Sequence, residues 1–126
     1  MNDVSRELAV AVADLAADRK ALDIVVLDLE KHSSIADAFV ICTGRSHIQV
    51  EAIVARIREG LAERHGIEPV SVEGLENGRW ALIDYGSIVV HVFQPNVRQI
   101  YDLERLWNQA PRWNYDDAAG KQIALA

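Results

Sequence analysis

Two short apolar runs, Ile24-Val25-Val26-Leu27 and Ala38-Phe39-Val40-Ile41-Cys42-Thr43, constrain this chain more than any other feature. Each is too brief for a helix and rich in β-branched residues. Each is also apolar at odd and even positions alike, so a strand built from it must be buried on both faces. Only a sheet covered on both sides supplies that environment, and the covering segments must come from elsewhere in the chain.

Amphipathic stretches supply the cover. Asp3 or Ser5 is positioned to cap a first helix whose stripe is Val4, Leu8, Ala11, Val12 and Leu15, ending at Asp18-Arg19-Lys20. Ser46-His47-Ile48-Gln49 reads as a capping box and Gly66 as the residue that closes the helix, with Val50, Ile53, Val54, Ile57 and Leu61 on its inner face. A third strand, Val70 to Glu73, follows Pro69, and Glu76-Asn77-Gly78 turns the chain. Trp80–Asp84 and Ile88–Phe93, separated by Tyr85-Gly86-Ser87, form a hairpin, and a last helix spans Asn96 to Trp107. The order α-β-β-α-β-β-β-α predicts an α/β fold with a mixed five-stranded sheet and flanking helices. Residues 1–108 form one domain. From Asn108 the chain becomes polar and alanine-rich and is broken by Gly120, so residues 109–126 are expected to be a loosely held tail.

Composition narrows the class of function. With 126 residues the chain can bury roughly two thirds of its unfolded surface and needs no staple. Cys42 stands alone, which excludes an intramolecular disulfide and a thiolate zinc site. The first twenty residues lack a basic and then apolar leader, and no run approaches the length of a membrane span, so a cytoplasmic protein is expected. Thirteen basic against nineteen acidic residues give a net charge of −6, and Arg45, Arg56, Arg58 and Arg64 are interleaved with acids. Extensive direct nucleic-acid binding is therefore not expected, and a basic protein partner is more compatible.

Two places carry more apolar surface than a core requires. As one helix, residues 96–107 spread Leu106, Leu103, Trp107, Ile100, Val97 and Tyr101 over roughly 220°, where docking on a sheet needs about 100°. Either the helix is deeply tucked under the tail, or Tyr101, Leu106 or Trp107 is an anchor for a partner. Trp80 shares a strand face with Leu82 and Asp84, which fits a core tryptophan beside a solvated strand end, or a face that a partner completes.

Signals for chemistry are sparse. His32, His47, His65 and His91 lack the close spacing of a metal cluster, and His91 shares a face with Val89 and Phe93 as a structural histidine would. Cys42 lies in an apolar strand. Gly44-Arg45-Ser46, between a strand and a helix, could hold a phosphate, although neither a dinucleotide nor a P-loop spacing accompanies it. Asp28-Leu29-Glu30 could place two carboxylates around Mg²⁺, which would suit a nucleotidyltransferase-type enzyme. No metal or cofactor is expected otherwise.

An ordered set of segments carries a resemblance. Ile24 to Asp28, Ala38 to Gly44 with Ser46, Glu73-Gly74, Gly78-Arg79-Trp80, Asp84-Tyr85-Gly86, Val89 to Phe93 and Tyr101-Asp102-Leu103-Glu104-Arg105-Leu106-Trp107 together resemble the ribosomal silencing factor (Iojap-related) family over about Ser5 to Asn108. Ala38 and Ser87 depart from its usual pattern, in which an aromatic residue and an aspartate are common. The resemblance implies a nucleotidyltransferase-like α/β fold without catalysis. It further implies a factor that docks on large-subunit ribosomal protein fourteen and sterically blocks joining of the small subunit. By position it assigns partner contacts to Trp80, Tyr101, Leu103, Glu104, Leu106 and Trp107, with Arg79, Asp84 and His91 as further candidates. An uncovered apolar face would also suit a homodimer.

Overall fold

The computed structural model of the protein describes residues 1–116 and 121–124. Helix α1 (Asp3–Asp18) is followed by strands β1 (Leu22–Asp28) and β2 (Ala38–Thr43), helix α2 (His47–His65), and strands β3 (Ser71–Glu73), β4 (Trp80–Asp84) and β5 (Ile88–Phe93). Two short helices, α3 (Pro95–Tyr101) and α4 (Leu103–Leu106), lead to β6 (Arg112–Asp116) and β7 (Lys121–Ala124). The strands form a single mixed sheet in the order β3-β4-β5-β2-β1-β6-β7. Among the described residues only β2 and β5 run parallel, and every other neighbouring pair is antiparallel.

The expected α/β class is therefore observed, and the apolar runs do occupy the middle of the sheet. All six residues of β2 are buried, as are Ile24 to Leu27 in β1. Alternation sends Ile24, Val26, Val40, Cys42, Val90 and Val92 into a core with α1 and α2, while Val25, Leu27, Phe39, Ile41, Val89 and Phe93 line a second core on the opposite face. Each such aliphatic side chain contributes about 1.5–3 kcal/mol by leaving water.

Helix α2 begins and ends where capping chemistry directs. The Ser46 side chain accepts from the Gln49 amide at 3.1 Å, and Gly66 closes the helix at φ +64°. Helix α1 differs in detail from expectation. Its cap is Asn2, which accepts from the Ser5 amide at 2.8 Å, and Val4 is 76% exposed. Ser5 takes the inward place because its hydroxyl donates to Asp37 at 2.9 Å.

Two larger differences concern the C-terminal third. The single helix expected over residues 96–107 is broken at Asp102, whose φ of +45° ends α3, and α4 restarts at Leu103. Aspartate tolerates that left-handed conformation better than most side chains, so the break falls where its cost is small. It allows Leu103 and Trp107 to turn into the second core while Leu106 stays 70% exposed. The segment expected as a loose tail carries β6 and β7, which raise the strand number among the described residues from the expected five to seven. Trp113 and Tyr115 in β6 alternate onto the α1 face. The Tyr115 hydroxyl donates to Asp14 at 2.8 Å, and the Arg6 guanidinium lies 5.2 Å from the Trp113 ring centre. Gly120 lies outside the described residues.

Candidate functional site

The hairpin register places Trp80 opposite Phe93 and Leu82 opposite His91, all on the thinly covered face of the sheet. Trp80 stacks on Phe93 with ring centres 4.8 Å apart and leans on Tyr101 at 4.6 Å. Its indole Nε1–H donates to Nδ1 of His91 at 3.1 Å. His91 meets Phe39 at 4.5 Å in an edge arrangement, and Phe39 meets Trp107 at 6.2 Å. A continuous aromatic row thus runs from Tyr101 through Trp80, His91 and Phe39 to Trp107.

Above this row exposed apolar side chains stand among polar ones. Tyr101 is 55% exposed and Ile100 76%. With Gln99, Asp102, Arg105 and Leu106 they border an open groove of about 520 Å³. Trp80, Leu103 and Trp107 are half-buried and pack against the second core. The Trp80 alternative, core or surface, resolves to an intermediate position: its ring is core-packed on one side and meets exposed Tyr101 on the other.

The remaining candidates separate by environment. His91 is buried, and since Nδ1 accepts from Trp80, the ring proton resides on Nε2. Among the described residues that Nε2 has no hydrogen-bond partner, and burial pushes the imidazole pKa down to about 4, so the ring is neutral at neutral pH. Glu104 faces inward. It receives a fork of hydrogen bonds from Arg98 at 3.1 and 3.2 Å and one from Arg112 at 3.4 Å, and Arg98 also donates to Thr43 Oγ1 at 2.8 Å. This cluster ties α3, α4, β6 and the end of β2 together. Asp84 accepts from the Gly86 amide at 2.7 Å and shapes the hairpin turn, while Arg79 is exposed. Ile100 and Arg105 belong to the groove but were not singled out as partner contacts; Ile100 was already visible in the surplus apolar arc.

Both enzyme-like motifs make contacts within the chain. The Arg45 amide at the start of α2 donates to Gln49 Oε1 at 2.6 Å, the Gln49 amide to Ser46, and the Gly44 amide to the Phe93 carbonyl at 2.8 Å. The Gly44, Arg45 and Gln49 amides are thus engaged within the chain. Asp28 and Glu30 both face the Met1 amino group, at 3.0 Å for Asp28. Among the described residues no three His, Cys, Asp or Glu side chains gather into a metal-binding group, and no helix is long and apolar enough to cross a membrane.

Residues 2–125 match the family described as "Ribosomal silencing factor during starvation". The chain belongs to the ribosomal silencing factor family. The match includes β6 and β7, so it extends beyond the span over which the motifs carry the resemblance. The ribosomal silencing factor RsfS of Bacillus subtilis is 43% identical over 110 residues, covering 87% of this chain and 90% of that one. The RsfS of Halalkalibacterium halodurans is 43% identical over 107 residues, with 85% and 91% covered. A crystal structure of a Chromobacterium violaceum protein superposes with a TM-score of 0.80 at 37% identity over 86% of this chain and 88% of that one. The ribosomal silencing factor family is not a known enzyme family, and its name places this protein in the regulation of translation.

Proposed function

We propose that this protein represses translation in the cytoplasm by docking on the large ribosomal subunit, through ribosomal protein fourteen, and physically excluding the small subunit. The observation that carries the reading is the exposed Tyr101–Ile100–Leu106 surface, which leans through Tyr101 on half-buried Trp80. Large aromatic side chains already ordered by packing lose little freedom on binding, which is how interface anchors contribute most. A net charge of −6 favours encounter with a basic ribosomal protein. Glu104 contributes from beneath by fixing α4, while Arg79 and Asp84 border the β4 side. Occlusion requires only binding, and the groove offers the mixed surface of a protein interface, with Ile100, Tyr101 and Leu106 beside Gln99, Asp102 and Arg105.

Co-sedimentation with isolated large and small subunits, followed by a subunit-joining assay, tests this directly. Binding to the large subunit with loss of joined ribosomes is expected. Tyr101→Ala is expected to weaken binding by more than ~1 kcal/mol, about fivefold, with the fold intact. Absence of binding to either subunit by the wild-type protein overturns the reading. The same apolar face suits a second copy of the chain, so a homodimer, if formed, competes with the ribosome; sedimentation at micromolar concentration showing monomer alone removes that element.

A further inference from the structure

His91 presents an unusual balance. It is 4% exposed, sits between Phe39 and Phe93, and leaves its Nε2–H without a partner among the described residues. A phenylalanine there would fill similar space without an orphaned donor, and buried polar groups lacking partners are otherwise rare enough to need a reason. The ring's polar contact is with the Trp80 indole, 3.1 Å from Nδ1. Trp80 in turn carries Tyr101 at 4.6 Å, the exposed ring at the edge of the groove.

We infer that His91 is a positioning residue for the docking face: it never touches the partner, and its Nδ1 acceptor holds the Trp80 indole in the orientation on which Tyr101 rests. The inference rests on the docking role proposed above. Without an acceptor at this point, the half-buried indole N–H must seek water. Rotation toward water takes the ring off Phe93 and removes the platform under Tyr101. The fold tolerates an unpaired Nε2–H on the far side because the near side orders the surface that binds, an instance of stability given up for function.

Two substitutions separate this role from a merely structural one. His91→Asn keeps an acceptor oxygen near the Nδ1 position but leaves empty volume, whereas His91→Phe fills the volume but removes the acceptor. The expected result is a crossed pattern. His91→Phe melts at or above the wild-type temperature yet binds large subunits about fivefold more weakly, the equivalent of one neutral hydrogen bond. His91→Asn melts lower yet binds within about twofold of wild type. The Trp80 indole ¹H–¹⁵N resonance, assigned with Trp80→Phe, should shift and exchange faster with solvent in His91→Phe and stay near its wild-type position in His91→Asn. Affinity that follows melting temperature across the three proteins overturns the inference, as does an unmoved Trp80 resonance in His91→Phe. Should the wild-type protein fail to bind large subunits, the docking proposal fails by itself, and the resonance still decides whether His91 holds the indole.

Discussion

Replacing Glu104 by glutamine distinguishes a carboxylate that meets a partner from one that holds the fold. The side chains of Glu104 and Arg98 are 18% and 12% exposed, and the Arg98 fork reaches both carboxylate oxygens at 3.1 and 3.2 Å. Glutamine keeps one acceptor oxygen, loses the charge and presents an NH₂ group to the other arm of the fork. Hydrogen bonds to charged groups are worth about 1.5–3 kcal/mol, and removing one member of a pair leaves the other charge partly buried and uncompensated. The Arg112 contact at 3.4 Å, with an arginine 38% exposed, adds less than ~1 kcal/mol after solvent screening. Together these give an expected destabilisation of about 1–3 kcal/mol for Glu104→Gln. Equilibrium urea unfolding should show this as a lower midpoint with an unchanged slope. Arg98→Met should cost a comparable amount, and the double variant less than the sum, because its second substitution removes a group already unpaired. A stability within ~0.5 kcal/mol of wild type, or strictly additive losses, would refute the clamp and return Glu104 to the exposed surface.

Three further outcomes rest on particular contacts. Burial lowers the folded-state pKa of His91 to about 4 from an ordinary 6.5, so the unfolded chain takes up the proton first. The stability gained by keeping the ring neutral is complete above pH ~6.5, falls as pH drops and levels off below about 4, on the order of 3 kcal/mol in all. A plot of the stability difference between wild type and His91→Phe against pH should show that slope, and a flat difference contradicts it. The Tyr85 hydroxyl is buried without a hydrogen-bond partner among the described residues, and burial pushes its pKa up to about 12; Tyr85→Phe should leave thermal stability unchanged or raise it, and a loss above ~1 kcal/mol by calorimetry would reveal a missing partner. A Cβ at Gly60 would lie 2.4 and 2.6 Å from the Leu15 methyls, with Leu15 fully buried. Gly60→Ala should therefore lose about 1 kcal/mol net, the helix-propensity gain being outweighed by overpacking; a gain in stability by urea titration would show that Leu15 can move aside.

The parts of the fold that were legible in the sequence are those set by local chemistry. Ser46 and Gly66 bound α2 because capping needs only the residues beside them. The runs in β1 and β2 announced burial on both faces because alternation is a property of the strand itself. The surplus of apolar surface near Tyr101 and Leu106 was also visible, since counting residues around a helix requires no partner. The helix break at Asp102 was not, because its left-handed backbone is stabilised by the entry of Leu103 and Trp107 into the second core.

Contacts between distant segments decided the rest. Tyr115 meets Asp14 across a separation of 101 residues, and Arg98 meets Thr43 across 55. No periodicity encodes such pairs. They turn a polar, alanine-rich tail into sheet and a candidate interface acid into a clamp. The orientation of Trp80 likewise depends on His91 from the neighbouring strand and Tyr101 from α3. The sequence alone determined which residues must leave water; the tertiary structure decided which polar groups meet there, because a side chain's role is set by whichever partner the fold brings within hydrogen-bonding distance.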